Sequence, residues 1–293
     1  MNHIKDITVI IATTAEKKRE SQLYRAIESV LSQTNCCFEL LLIINGERFD
    51  GELKQRLEKD SRFICSYKKE GSYPKAAIYA RSIIKTPYFC FLDDDDELLN
   101  NSLALKLEEF KLFPDTDVVV GNGFKNMYQR NTLECHPNIL CYQDNPLEQL
   151  LEPNGNWLAS CAALFKTQSI GQVYFDDYSD YSEWTYLAFK LALNTKIRFI
   201  KKYCHRINMQ NDSLSHTKDY LLGIYSLQYK ILELPLPEYV RKKVLYRIMD
   251  IEHSISEYFL VKRDIKKAWF YHLKSISTIE GFLKYFLFTR KLF

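Results

Sequence analysis

Four consecutive aspartates, Asp93 to Asp96, follow an apolar run at residues 88–92, and Glu97 extends the acid to five residues. The apolar run reads as a buried β-strand, because short apolar stretches bounded by turn residues pack inside sheets. A buried strand that ends in stacked carboxylates must dispose of the charge, since unpaired buried charge is costly. Three remedies exist: the acids reach solvent, a cation neutralises them, or they cap a helix. Carboxylate oxygens suit hard divalent cations such as Mg²⁺ and Mn²⁺, and an ion held there could grip a diphosphate. The plainer alternative is that Asp96 or Glu97 caps a helix beginning near Leu98.

The surrounding pattern says what positions these acids. Strands are expected over residues 7–12, 38–44, 62–67, 88–92 and 117–121, and helices over 20–32, 49–60, 74–85 and 98–113. Such alternation predicts an α/β fold with a doubly wound, mostly parallel sheet and helices on both faces. Ligands of such sheets bind outside the carboxyl ends of the strands. The acids lie at one such end, beside the loop after Ala12 and the turn at Asn45-Gly46. Further strands are expected over 157–165, 196–200 and 203–209, with a helix over 181–193. Past Thr217 the period is helical, over 220–232, 239–261 and 265–292. The division is therefore a domain at 1–216 and an all-helical C-terminal region at 217–293.

The bulk numbers narrow the function classes. Net charge is only +3, but residues 262–293 carry eight Lys/Arg against two Asp/Glu, leaving the rest mildly acidic. An acidic body lacks the basic footprint of a nucleic-acid binder. The basic, aromatic tail can dock on a membrane surface, mediate a homodimer, or only pack. Eight scattered cysteines show no CxxC pair of zinc spacing, so they are expected as free thiols filling the core in a reduced compartment. The polar N-terminus lacks a signal-peptide pattern, and no apolar stretch nears the roughly 18 to 20 residues that span a bilayer. A cytoplasmic protein is expected, with peripheral contact at the inner face of the cytoplasmic membrane as one use of the tail.

Several segments carry a family likeness in combination: Thr8 to Thr13, Ala26 to Thr34, Phe38 to Gly46, Tyr88 to Asp96, Val173 to Asp176, Ser182-Glu183-Trp184, and Asp212 to Ser215. With these the chain resembles the family 2 inverting glycosyltransferases of the GT-A fold, over residues 5–216. The resemblance implies a metal-dependent, inverting transfer of a hexosyl or N-acetylhexosaminyl group. The donor would be a nucleotide sugar, a UDP-sugar above all, and the acceptor a hydroxyl of a cell-surface glycan or lipid-linked acceptor. The departing diphosphate builds negative charge that Mn²⁺ or Mg²⁺ stabilises as a Lewis acid. By the family's DxD motif Asp95 is the metal ligand, Asp93 the ribose or second metal contact, and Asp94 their neighbour in the donor site. Asp96 is then left to start the helix. Inversion needs a base on the acceptor hydroxyl. The likeness assigns it to Glu183, before Trp184, with Asp180 one helical turn earlier as the alternative and a solvated helix face as the bland reading of Glu183. Thr13 and Asn45 fall in the donor site, and His205 is expected toward the diphosphate.

Two departures from the family pattern affect the donor pocket. An acid is usual where Asn45 stands, although an amide can still donate and accept. An Ala-Arg-Asn segment is usual where Ala76-Ala77-Ile78 stands, so Lys75 or Arg81 is expected to restore positive charge near the phosphates. These departures favour one alternative: a catalytically silent glycan- or nucleotide-binding partner in a polysaccharide synthesis complex.

Overall fold

The computed structural model describes residues 5–127, 131–176, 182–209 and 218–293. Strand β1 (Ile7–Thr13) is buried along its whole length. This is the fate of a β-branched run with neighbours on both edges and both faces. Helix α1 (Glu20–Leu31) buries Leu23, Ala26, Ile27 and Val30, the stripe that its 3.6-residue period brings to one side. Strand β2 (Phe38–Asn45), helix α2 (Gly51–Lys59), strand β3 (Ile64–Lys68), helix α3 (Tyr73–Ile83) and strand β4 (Tyr88–Asp93) follow. Asp50 caps α2 by accepting from the Leu53 N–H, and α3 opens on Ser72 with Pro74 in its first turn.

These four strands are parallel in the order β3-β2-β1-β4, so β1 lies between β2 and β4 with Ala12 beside Asp93. Beyond β4 the sheet becomes mixed. The remaining elements are β5 (Glu97–Leu98), α4 (Ser102–Leu112), β6 (Val118–Met127), β7 (Asn131–Glu134), α5 (Pro146–Gln149), β8 (Ala163–Lys166), α6 (Glu183–Asn194) and β9 (Ile197–Met209). Strand β8 runs antiparallel between β4 and β6, β9 lies parallel to β6, and β5 closes the order antiparallel to β9.

Side chains alternate across the sheet with period two. Ile7, Val9, Ile11, Cys90 and Leu92 share a core with α1, α2 and α4. On the other face Phe89 stacks on Phe165, while Phe91 meets Phe175 and Trp184. The expected α/β architecture with a helical C-terminal region is present. Three local expectations differ. The strand expected over 157–165 is confined to β8, because Trp157 instead turns inward to donate to the Pro146 carbonyl at 2.9 Å. The two short strands expected over 196–209 are one strand, β9, whose pairing with β6 slips around Asn122. The helix expected from residue 98 begins at Ser102, because Glu97 and Leu98 pair with Arg206 and His205.

The chain divides into two compact units, Met1–Tyr178 with Glu183–Asn211, and Ser179–Ser182 with Asp212–Phe293. The second contains α7 (Lys218–Leu232), α8 (Glu238–Val261), α9 (Ile265–Ser275), α10 (Ile279–Tyr285) and a 3₁₀ turn at Phe286–Lys291. The single helix expected over 265–292 is broken, since Thr278 caps a new one by accepting from the Gly281 N–H. Ile255, Phe259, Ala268, Phe288 and Leu292 form this unit's core. Among the described residues no helix is long and apolar enough to cross a membrane.

The slip between β6 and β9 depends on Gly123. A Cβ there would lie 2.4 Å from the buried His205 imidazole and 2.6 Å from the His205 carbonyl oxygen. Gly123→Ala should therefore lower the unfolding free energy by about 1–3 kcal/mol in urea titration, as overpacking does. A change within error would mean that the ring can move aside.

Candidate active site

Strand β4 delivers Asp93 to the carboxyl end of the sheet, and a tight turn follows, in which the Asp96 N–H donates to the Asp93 carbonyl at 3.1 Å. The four acids then diverge. Asp94 turns inward and accepts from the Thr13 hydroxyl at 2.6 Å. It also receives the Arg19 guanidinium on both oxygens. The same guanidinium reaches Asp95 Oδ2 at 3.1 Å. Asp96 is buried, accepts from the Asn208 N–H at 2.9 Å, and takes the Cys161 thiol at 3.7 Å. Burial raises Asp93 and Asp96 well above the usual carboxylate range, and Asp95 adds repulsion to both. Each therefore favours a proton until positive charge arrives.

The Asp96 assignment made from sequence is corrected by this geometry. Asp96 does not start a helix; it braces β9 from inside, because β5 occupies the residues where a helix would begin. Asn101, with φ of 60°, stands before α4 instead.

The likeness segment Ala26 to Thr34 has a visible purpose. Ser29 Oγ accepts from the Leu98 N–H at 3.1 Å. Gln33 donates to the Leu99 carbonyl at 2.9 Å and accepts from the Leu103 N–H at 3.2 Å. The end of α1 thus clamps the segment that leaves the acid run. Behind it, Arg25 and Arg206 pair with Glu97 at 3.0 and 3.6 Å. They line an open hollow of about 690 Å³ whose arginines are already committed.

Several expected site residues come together. Asn45 donates to the Thr13 carbonyl at 3.2 Å, so the ends of β2, β1 and β4 are linked through Asn45, Thr13 and Asp94. Glu183 is the first residue of α6, and its charge contributes to raising Asp93. Trp184 fixes that helix start by packing edge-on against Phe91 at 5.3 Å and Tyr73 at 6.2 Å. Asp95 and Glu183 are therefore both close enough to Asp93 to raise it. Asp180 lies outside the described residues.

Other expectations do not meet there. Lys75 is exposed and paired with Glu70 at 3.0 Å. Arg81 is corrected outright: it donates to the Thr167 and Ile170 carbonyls at 2.7 Å and lies over Phe89. Helix α3 runs back along the sheet, so a residue near its end belongs at the start of β4, not at the acids. His205 is enclosed against Gly123 and 3.9 Å from Cys135 Sγ, without access to a diphosphate. The residue that sequence reasoning missed is Arg19. The basic cluster Lys17-Lys18-Arg19 directly after the first strand was its only signal.

Among the described residues no three His, Cys, Asp or Glu side chains are grouped to hold a metal by themselves. Asp93 and Asp95 are the carboxylates available to a Mg²⁺ or Mn²⁺ site, in which one or two carboxylates leave other positions to substrate phosphates.

The Glycosyl transferase family 2 profile matches residues 8–173. The chain belongs to this family. A stretch of 85 residues is 35% identical to an uncharacterized glycosyltransferase of Rickettsia bellii, covering 29% of this chain and 12% of that protein. The fold is also that of S. aureus TarS. Residues 1–349 of TarS in complex with UDP-GlcNAc align with a TM-score of 0.65 and 16% identity, over 92% of this chain and 80% of that one. A longer TarS structure aligns at 0.60 over 85% of this chain and 44% of its own. The sheet, its flanking helices and the helical C-terminal region are thus a GT-A-like arrangement.

His205 gives a pH test. Burial, followed by the charges of Lys106, His136 and Lys125, pushes its pKa from 6.5 down to about 3. The unfolded chain gains this proton as pH falls through 6.5, while the folded chain does so only near 3. The contribution is present above 6.5 and is lost as pH falls toward 3. In urea titrations from pH 6.5 to about 4, His205→Gln should lose stability less steeply than the parent. Equal slopes would show that the ring is not held neutral.

Proposed function

We propose that this chain is a metal-dependent inverting glycosyltransferase. It moves a hexosyl or N-acetylhexosaminyl group from a UDP-sugar to a hydroxyl of a cell-surface glycan or lipid-linked acceptor. The observation that carries this reading is the convergence of Asp93, Asp95 and Glu183 at the carboxyl end of β4. Asp95 and Asp93 would hold a divalent ion, which would supply Lewis-acid stabilisation of the leaving diphosphate. Glu183 takes the proton of the acceptor hydroxyl as that oxygen attacks the anomeric carbon. Thr13, Asn45 and Asp94 set the shape of the donor side, and the Asn45 amide contacts the base where an acid is usual. The complex of TarS with UDP-GlcNAc supports the choice of a UDP-sugar. The silent-partner reading rested on the missing acid at Asn45 and the missing arginine at Ala77; Arg19 supplies positive charge at the acids, which bears on the second.

The helical unit adds a location. Ile279, Leu283 and Leu287 recur every four residues and are exposed, as are Phe282 and Phe286, while Phe288 and Leu292 turn inward. Arg290 and Lys291 flank this stripe in exposed positions. Apolar residues beside exposed cations fit an anionic bilayer, where each cation adds about 1 kcal/mol. Peripheral attachment at the inner face of the cytoplasmic membrane suits a lipid-linked acceptor.

Two experiments test these readings. A melting-temperature screen of UDP-sugars should give a shift that needs Mn²⁺, and Glu183→Gln should keep that shift while kcat falls about 10²–10⁴-fold. No shift with any nucleotide sugar, or full turnover in Glu183→Gln, would sink the catalytic reading. In flotation at low salt the full chain should rise with anionic liposomes and not with neutral ones. The pair Leu283→Ser and Leu287→Ser should keep it at the bottom, and a parent chain that stays there removes the membrane reading.

A further inference from the structure

Arg19 ends the 3₁₀ turn Lys17–Arg19, directly before α1. Its guanidinium spans two neighbouring acids that are not equivalent. The Asp94 side chain is only 8% exposed and is pinned by Thr13, whereas Asp95 is 25% exposed. The contact with Asp94 is therefore a built-in brace, and the contact with Asp95, at 3.1 Å, is open to exchange.

We propose that Arg19 is an internal counterion that competes with a divalent cation for the Asp95 carboxylate while remaining on Asp94. The Nη2 that reaches Asp95 also donates to Asp94, so when the cation takes Asp95 one N–H of Nη2 is released as a donor for the leaving diphosphate while the other stays on Asp94. A planar guanidinium suits this exchange, because its N–H groups form a fork that fits carboxylate and phosphate oxygens alike. Metal arrival and diphosphate recognition are thereby linked through one side chain. Without metal, Arg19 keeps the crowded acids from repelling one another. With metal and donor, the same charge lies beside the leaving group. Arg19 is thus a positioning residue in the free chain and a phosphate contact in the loaded one. The inference rests on the metal-dependent reading above.

The test measures Mn²⁺ affinity of the full chain by electron paramagnetic resonance of the free ion, first without nucleotide and then with UDP. Arg19→Gln keeps a hydrogen-bond donor without the charge; Arg19→Ala removes both, and circular dichroism melting confirms that each is folded. Without UDP, Arg19→Gln should bind Mn²⁺ about tenfold more tightly than the parent, a shift of about 1.4 kcal/mol. At saturating Mn²⁺, it should bind UDP about tenfold more weakly. In metal-free buffer its melting temperature should be lower than the parent's and should recover more on adding Mn²⁺. Mn²⁺ affinity that is unchanged or weaker in the variants, with the parent still binding Mn²⁺ and UDP together, overturns the counterion role alone. A parent chain that binds no Mn²⁺ even with UDP overturns the metal reading beneath it.

Discussion

The structure depends on how it tolerates negative charge at the end of β4. Like charges about 4 Å apart cost about 4 kcal/mol at an effective dielectric of about 20, and burial adds to this. Each acid meets the cost differently. Asp94 receives a cation and a hydroxyl. Asp96 receives a backbone N–H and a thiol, and burial raises its pKa well above the usual carboxylate range. Asp93 is raised in the same way. Asp95 keeps contact with water and the outer arm of Arg19. The crowding thus leaves Asp93 and Asp95 partly accessible, with Asp94 and Asp96 buried and braced behind them.

That arrangement needs three elements to converge. Helix α1 brings Arg19 at its start and clamps the exit of the acid run with Ser29 and Gln33 near its end. Strand β9 brings Asn208, whose N–H fixes Asp96 and whose amide donates to the Asp95 carbonyl at 2.9 Å. Helix α6 brings Glu183, seated by the edge contacts of Trp184. None of these is next to β4 in the sequence. The aromatic pile of Phe89, Phe91, Phe165 and Phe175 below the acids holds β4 and β8 in line, and a rigid base keeps carboxylates from relaxing apart.

What was legible in the sequence followed from local periodicity. The strands at 7–13, 38–45 and 88–93 are apolar runs whose ends are marked by polar residues, and their parallel order follows from the intervening helices. The insertion of β8 between β4 and β6 was not legible, because antiparallel pairing over long sequence separation leaves no local trace. Asp96 looked like a cap because its burial depends on Asn208, far along the chain. Arg81 was misplaced for a different reason. Helical spacing tells which face a residue occupies, but its distance along the helix decides which end of the sheet it reaches. Arg19 carried a weak signal, a basic cluster without the glycines of a phosphate loop, and its partner was set by the fold.

A site with so few committed ligands has a functional logic. Three or four protein carboxylates around one cation would hold it whether or not substrate were present. Here the described acids offer too few ligands for that, and Arg19 contests one of them. On the metal-dependent reading proposed above, cation affinity would come partly from the donor's phosphate oxygens, which would link the two binding events. The same economy would help release on that reading, since the grip on a nucleoside diphosphate would depend on a cation that Arg19 could replace at Asp95. An acid run that seemed, in sequence, an excess of negative charge is in the fold nearly balanced. The small remainder that is left open is the proposed seat of the cation and the diphosphate.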